Sequence, residues 1–202
     1  NNVGGWLRPV SSRQNEEVSE HERQYEDGSD PRVLDIIDIP LLEPKPASYQ
    51  QENWLLDPDY YWTKAGKANW SNLKRLVDPV EPLWTNGNST YHGRNDRIEV
   101  VAASALTSSL RLIHVGSLTI SVFAPGAAFG NSKRRVQGWF NHNGSEYRLW
   151  VTDPIYERAF LAKQDGIHKL AECFVTLSIG EPANDGCCYK LIAAIVEKVN
   201  VK

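Results

Sequence analysis

The dipeptide Asn143-Gly144 constrains the fold of this chain more than any other short segment. A two-residue turn between antiparallel strands needs positive φ at both positions, and Asn followed by Gly meets that requirement best. The residues on either side alternate in character, as strands with one buried face do. We therefore predict a β-hairpin within residues 134–153, with Asn143 and Gly144 as its turn.

The position of this turn fixes which hairpin residues lie opposite one another. The first face is largely apolar and predicts a core. Its pairs are Phe140 with Tyr147, Gly138 with Leu149, and Val136 with Val151. The second face mixes tryptophan, arginine and amide, which is unusual for a surface that meets only water. Its pairs are Trp139 with Arg148, Gln137 with Trp150, and Arg135 with Thr152.

Short segments typical of strands recur along the chain and predict a mainly β protein with a few short helices. Asp153-Pro154 begins a helix, because Asp is a good N-cap and Pro suits the first helical position. A helix is also predicted after Ser71, and the polar residues 16–27 are predicted to form a short exposed helix. The strands are predicted at 5–10, 33–39, 110–115, 118–123, 174–179 and 189–196.

The length of 202 residues suits two domains of about 100 residues each. We predict domains at 1–104 and 105–202. Charge is uneven between the halves: residues 1–84 hold 9 Lys and Arg against 15 Asp and Glu, and the remainder holds 13 against 10. Because Lys133-Arg134-Arg135 lies at the foot of the hairpin, a phosphate-bearing partner would favour the second half.

Motifs of the common enzyme classes are absent from the sequence. There is no Gly-x-Ser-x-Gly, no phosphate-binding glycine loop ending in Lys-Ser/Thr, and no His-Glu-x-x-His. The spacing of Cys173, Cys187 and Cys188 fits neither a zinc site nor a redox motif, so we expect reduced thiols. We expect no cofactor and no metal. An enzyme of unknown class stays an alternative, using a cysteine–histidine pair or the polar loop 92–97.

The sequence also predicts a cytoplasmic protein without a membrane partner. No run of 18 or more apolar residues is present. The chain does not open on a basic region followed by an apolar stretch, as a signal peptide would. It contains no methionine, not even an initiator, and we therefore expect a segment before Asn1.

The second face of the hairpin has two interpretations. It could pack against the first half, with Arg–Trp stacking at the seam. Alternatively, bases stack on its aromatic rings while arginines hold phosphate. The second interpretation predicts a non-catalytic module that binds single-stranded DNA, RNA or a nucleotide. The predicted contact residues are Lys133, Arg134, Arg135, Gln137, Trp139, Arg148 and Trp150. A protein-interaction module that partners a neighbouring enzyme is the alternative.

Several motifs, in order along nearly the whole chain, resemble the bacterial dual OB-containing domain family. They are GWLRPVS at 5–11, YEDG at 25–28, DII at 35–37, YQQENW at 49–54, LW at 83–84, NDR at 95–97, VTDP at 151–154 and YKLIAAI at 189–195. The resemblance implies two tandem OB-like small β-barrels, the first lacking an initial strand. It implies no established activity and no catalytic residues. OB barrels often bind single strands or sugars on a sheet face, which supports a function by analogy only.

Overall fold

The structure is a computed structural model that describes residues 5–47, 49–79 and 82–198. The chain forms two compact units. Unit 1 comprises Asn1–Asn72 and Ala105–Ser109, and unit 2 comprises Leu73–Ser104 and Leu110–Lys202. The domains at 1–104 and 105–202 stay a prediction, and the compact units divide the chain differently from them.

Unit 1 is built from short strands in two small sheets. Its strands are β1 (Arg8–Val10), β2 (Asp35–Asp38), β3 (Leu41–Pro44), β4 (Asn53–Leu56) and β5 (Thr63–Lys67). In the three-stranded sheet β4 is central, parallel to β1 and antiparallel to β3. Strands β2 and β5 form an antiparallel pair. The predicted strands at 5–10 and 33–39 are therefore confirmed in part, and β3, β4 and β5 were not predicted.

A buried carboxylate connects the two chain segments of unit 1. Glu52 accepts hydrogen bonds from the backbone N–H of Ser109 at 3.1 Å and from its hydroxyl. The Ser109 hydroxyl also accepts one from Arg8 Nη2 at 2.9 Å. Because buried charge is stable only when it is paired and hydrogen-bonded, residue 109 completes this unit.

The prediction of a helix over residues 16–27 is wrong. The segment contains only the end of one 3₁₀ turn, Gln14–Glu16, followed by turns and an isolated bridge at Tyr25. The Glu22 carboxylate accepts from the Ser11 hydroxyl at 2.6 Å and from the Ser19 backbone N–H at 2.8 Å. Side chains that bond nearby backbone groups compete with helix formation, and this accounts for the difference.

The predicted helix near Ser71 is α1 (Trp70–Leu76), which contains the boundary between the two units. Its N-terminus is fixed by Asn69 rather than by Ser71. Asn69 Oδ1 accepts from the Asn72 backbone N–H at 3.0 Å, and Asn72 Oδ1 accepts from that of Asn69 at 2.8 Å. This reciprocal pair satisfies two N–H groups at the helix start, as a capping box does.

Unit 2 contains an eight-stranded sheet and two further helices. Its elements are β6 (Arg97–Glu99), α2 (Val100–Ala103), β7 (Leu110–Val115), β8 (Leu118–Phe123), β9 (Arg135–His142), β10 (Ser145–Val151), α3 (Pro154–Leu161), β11 (Gly166–Leu170), β12 (Cys173–Pro182) and β13 (Cys187–Glu197). The strand order is β11-β8-β9-β10-β13-β12-β7, with β6 also paired to β13. Among the described residues this order does not close into a barrel. The mainly β class is confirmed.

The hairpin has the predicted turn, and its strand pairing follows the predicted register from the turn up to Gln137 and Trp150. Asn143 and Gly144 both have positive φ, 49° and 76°. Strands β9 and β10 pair antiparallel, with Trp139 opposite Arg148 and Gln137 opposite Trp150. The turn residues therefore set the alignment of the whole hairpin.

The apolar face of the hairpin is core, as predicted. Phe140 and Tyr147 are buried, and their rings stack with centroids 5.3 Å apart. Gly138 lies opposite Leu149. A Cβ at Gly138 would stand 2.3 Å from Ile192 Cδ1, so the missing side chain provides room for Ile192 of β13. Close approach between neighbouring elements is a common reason for glycine within a strand.

Helix α3 begins where the sequence predicts, with Asp153 as its cap and Pro154 as its first residue. Within the helix, Phe160 is buried and Ile155 is exposed. The helix ends at Leu161, and Gly166 begins strand β11. Within the described ranges, no helix is both long enough and apolar enough to cross a membrane.

Candidate nucleic-acid interface

The second face of the hairpin continues onto the neighbouring strand β8, so that three adjacent strands share it. Strand β9 lies between β8 and β10 and is antiparallel to both. Side chains at alternate positions of a strand share a face. Read across the strands, the rows of this face are Thr119–Trp139–Arg148, Ser121–Gln137–Trp150 and Phe123–Arg135. The predicted tryptophans and arginines are thus brought together on one sheet surface.

Trp150 is a buried support rather than an open ring. Its side chain is only 9% exposed, and the Phe123 ring lies 5.8 Å away between centroids. The Arg135 guanidinium covers it, with Cζ 4.0 Å from the ring centroid. These contacts come from unit 2 itself. Arg135 and Trp150 therefore act as one stacked pair, with the guanidinium outermost.

Within the described chain, no direct partner neutralises the charge of Arg135. Its guanidinium makes neither a hydrogen bond nor an ion pair with any residue in the described parts of the chain. Burial lowers its pKa, and the negative charge of Glu157 acts in the opposite direction. An arginine stays protonated in proteins. Arg135 thus keeps a positive charge and free N–H donors for an external anion.

The second stacked pair, Arg148 on Trp139, is less able to attract an anion. Arg148 Cζ lies 4.3 Å from the Trp139 ring centroid. Its Nε also donates to Glu146 at 2.6 Å, so an adjacent carboxylate balances its charge. The pair lines a groove of about 380 Å³ together with Thr119 and Asn141. This groove offers a half-exposed aromatic ring but little net charge.

Gln137 holds the face together and is not available to a ligand. Its side chain is 1% exposed. Its amide nitrogen donates to the His92 carbonyl at 2.9 Å, and its oxygen accepts from Trp139 Nε1 at 2.7 Å. Both ends of the amide are occupied, so Gln137 orients the Trp139 ring and anchors the loop that carries His92.

The two predicted phosphate contacts before β9 differ in their surroundings. Lys133 is exposed. Arg134 instead holds the chain after α3. It donates to Asp165 Oδ1 at 2.6 Å, to the Leu161 carbonyl at 2.8 Å and to the Lys163 carbonyl at 2.6 Å. The structure therefore assigns Arg134 an internal role, because its donors are already used.

A larger groove, of about 580 Å³, lies beside the Arg135–Trp150 pair. Tyr91, which is 96% exposed, lines it together with His92. Glu181 and Tyr189 of the last two strands complete its rim. The volume falls within the range of small-ligand sites. None of these four residues was predicted as a contact.

The loop bearing Tyr91 and His92 is fixed by several bonds. Asp96 is buried and accepts from the Thr90 backbone N–H at 2.8 Å and from its hydroxyl at 2.5 Å. His92 Nε2 donates to the Pro125 carbonyl at 3.1 Å. The Tyr91 ring meets the His92 ring edge-on, with centroids 4.8 Å apart. Tyr91 is thus an exposed aromatic on a well-anchored loop. The sequence marked 92–97 as a polar site candidate but carried no signal that it folds beside the hairpin.

The alternative sites have less support. All three cysteines are buried, and in the described chain none of them hydrogen-bonds to a histidine. Burial raises the pKa of Cys173 to about 12, which disfavours a thiolate nucleophile. The described residues include no group of three or more metal-ligating side chains.

The acidic segment of unit 1 lines a groove of about 650 Å³. The best-defined feature of this groove is a set of bonds among its own lining residues. The Asp35 carboxylate pairs with Lys64 Nζ at 2.5 Å and accepts from the Tyr25 hydroxyl at 2.9 Å. These bonds lower the pKa of Asp35 to about 2, and burial with the Asp35 hydrogen bond raises that of Tyr25 to about 12. The charges of Asp35 and Lys64 in this groove thus balance each other within unit 1.

Fold and sequence together define a β-rich module of the OB type with an Arg–Trp sheet face. The dual OB-containing domain family matches residues 1–195, and the chain belongs to that family. Comparison with curated proteins and with solved structures gives no match.

Proposed function

We propose that this protein binds single-stranded nucleic acid, or a nucleotide unit of it, through the Arg–Trp face of unit 2. The observation that carries the proposal is Arg135. It is stacked on a buried tryptophan and lacks a protein acceptor in the described chain. A charged guanidinium held in this way is suited to a phosphate, because charge-assisted hydrogen bonds are among the strongest.

The surroundings of Arg135 supply the other part of nucleotide recognition. Tyr91 offers an exposed ring beside the same groove, and stacking of a base on such a ring is worth about 1–3 kcal/mol. Lys133 adds an exposed positive charge two residues before Arg135. The Trp139–Arg148 groove lies on the same sheet face and provides a further aromatic surface. The family's OB character agrees with this class of ligand by analogy.

The test is fluorescence anisotropy with a labelled 12-nucleotide DNA strand containing all four bases, measured over a range of salt. We expect binding at low salt. Arg135→Ala should weaken it about tenfold, because a charged hydrogen bond contributes about 1.5–3 kcal/mol. It should also reduce the salt slope by about 1.

Arg75→Ala is the matched control. Arg75 is an exposed arginine of α1, and it does not line the groove. Arg75→Ala removes the same charge from unit 2 but does so outside the groove. The affinity of this variant for the strand should therefore stay within about twofold of wild type. The proposal is refuted if no strand binds at low salt, or if the two variants lose the same affinity.

A protein-interaction module is the second candidate, and a feature of unit 1 favours it. Large apolar side chains are exposed between residues 33 and 61, and exposed apolar surface of this kind marks a site of protein–protein contact. They are Val33, Ile36, Leu42, Tyr60 and Tyr61. The partner would be an enzyme encoded beside this chain. Co-elution of the two purified proteins, lost in Tyr60→Ser/Tyr61→Ser, would support it, and separate elution of the wild-type proteins would oppose it.

A further inference from the structure

The groove beside Arg135 carries a second charged group, the carboxylate of Glu181. Glu181 is exposed and, like Arg135, has no hydrogen bond or ion pair to any part of the chain that the structure describes. One unpaired positive group and one unpaired negative group thus line the same concave surface. A ligand that satisfies both must present an anion and a set of hydrogen-bond donors.

Glu181 reaches this groove because of an irregularity in β12. Ile179 pairs with Lys190, but Pro182 pairs with Cys188, so β12 carries one extra residue at this point. Such a bulge re-aims a side chain that regular pairing would direct elsewhere. Gly180, the other residue of the bulge, would bring a Cβ within 3.2 Å of Leu191 Cδ1 and 3.5 Å of the Tyr189 carbonyl. The bulge therefore combines a close approach to β13 with an exposed carboxylate.

The ionised carboxylate accepts hydrogen bonds and cannot donate them. Guanine is the base whose Watson–Crick edge offers two adjacent donors, N1–H and the N2 amino group, to the two oxygens of a carboxylate. Adenine and cytosine each place a ring-nitrogen acceptor next to their amino group, and thymine flanks its single N–H with two carbonyls. Base edges that are unstacked and open to the protein are read in this way in single strands.

We propose that Glu181 makes the groove selective for guanine, with Arg135 holding the phosphate and Tyr91 stacking on the base. This inference rests on the proposed function and names the preferred base at the same site. The two unpaired charges fix the orientation: the phosphate lies toward the guanidinium, and the carboxylate repels it. A bidentate contact to a base edge is a typical source of discrimination among bases.

The experiment compares three labelled 12-nucleotide strands, each of thymidines with one central guanine, hypoxanthine or adenine. Hypoxanthine keeps N1–H and lacks the N2 amino group. The wild-type protein should bind the guanine strand about tenfold more tightly than either of the other two. Glu181→Gln should abolish this preference, since a neutral amide does not match two donors. It should leave affinity for an all-thymidine strand unchanged or slightly higher.

Glu99→Gln is the control for the substitution itself, because Glu99 is exposed and does not line the groove. It should keep the preference for guanine. Competition with free GMP distinguishes the two sources of guanine. Displacement of the guanine strand by GMP at similar concentration indicates a nucleotide site, and failure of GMP to compete indicates that flanking nucleotides contribute.

The outcomes separate the two proposals. Equal affinity for all strands, with Arg135→Ala still weakening binding, overturns the guanine preference and leaves nucleic-acid binding in place. A guanine preference that persists in Glu181→Gln also overturns the role of Glu181. Loss of binding to every strand, or binding that does not depend on Arg135, overturns the proposed function itself.

Discussion

Asp153 connects the start of α3 to the last strand of the sheet, and its removal should destabilise unit 2. Its Oδ1 accepts from the backbone N–H groups of Ile155 and Tyr156, at 2.9 and 3.1 Å. Its Oδ2 accepts from the buried N–H of Ile195 at 3.0 Å. One side chain thus caps α3 and accepts the hydrogen bond of a buried backbone N–H in β13. Asp153→Ala removes both functions together.

The expected loss follows from these two functions. Removing an N-cap costs about 0.5–2 kcal/mol. Leaving the buried N–H of Ile195 without an acceptor costs about 1–3 kcal/mol. Because the Asp153 side chain is itself buried, water cannot readily replace it. We expect Asp153→Ala to lower the free energy of unfolding by about 2–4 kcal/mol. Asp153→Asn keeps one of the two oxygens and should lose about half as much.

Urea unfolding monitored by tryptophan fluorescence measures the loss as a shift of the midpoint at constant slope. The order wild type, Asp153→Asn, Asp153→Ala is the central expectation. A loss below about 1 kcal/mol in Asp153→Ala would show that the bond to Ile195 contributes nothing beyond the cap. Equal losses in the two variants would show that the two oxygens do not act separately.

Two further measurements address buried titratable groups. Lys190 Nζ donates to the Thr85 carbonyl at 2.6 Å, and burial lowers its pKa to about 8. An unfolded lysine titrates near 10.4, so between these values the unfolded state binds more protons and stability rises with pH. The wild type should gain about 3 kcal/mol relative to Lys190→Met across that range, and a constant difference in urea unfolding would contradict this. The thiols of Cys173, Cys187 and Cys188 are buried. A thiol reagent at pH 8 should therefore modify none of them in the native protein and all three in urea. Rapid labelling of the native protein would refute their burial.

Local signals in the sequence predicted the hairpin and α3 well. Asn143-Gly144 requires positive φ at both positions, so it fixes the turn and then the register of every pair up to Trp150. Asp153-Pro154 likewise combines a cap with a residue pre-set for a helix start. Both signals involve residues adjacent in sequence, and their effect does not depend on the remainder of the fold.

The candidate site was predicted less completely, because part of it depends on distant segments. Alternation placed Trp139 and Arg135 on one face of β9, but it could not show that Arg134 binds carbonyls at and just after the end of α3. Tyr91 is irregular in conformation and has no periodicity to mark it. Glu181 reaches the groove through a bulge, which one strand's sequence does not reveal. Such features arise from tertiary contacts and not from local preference.

The segment 105–109 has a consequence for experiments on parts of this chain. A ribosome must release residue 109 before Ser109 can reach the Glu52 carboxylate. Unit 1 is therefore complete only after the whole first segment of unit 2, Leu73–Ser104, has been made. A fragment ending at residue 104 would leave that carboxylate buried without its serine donors. A fragment starting at 105 would lack β6, which pairs with β13. Cutting the chain in two at that point should therefore yield two unstable halves, and co-expression of the halves is the way to recover the native pairing.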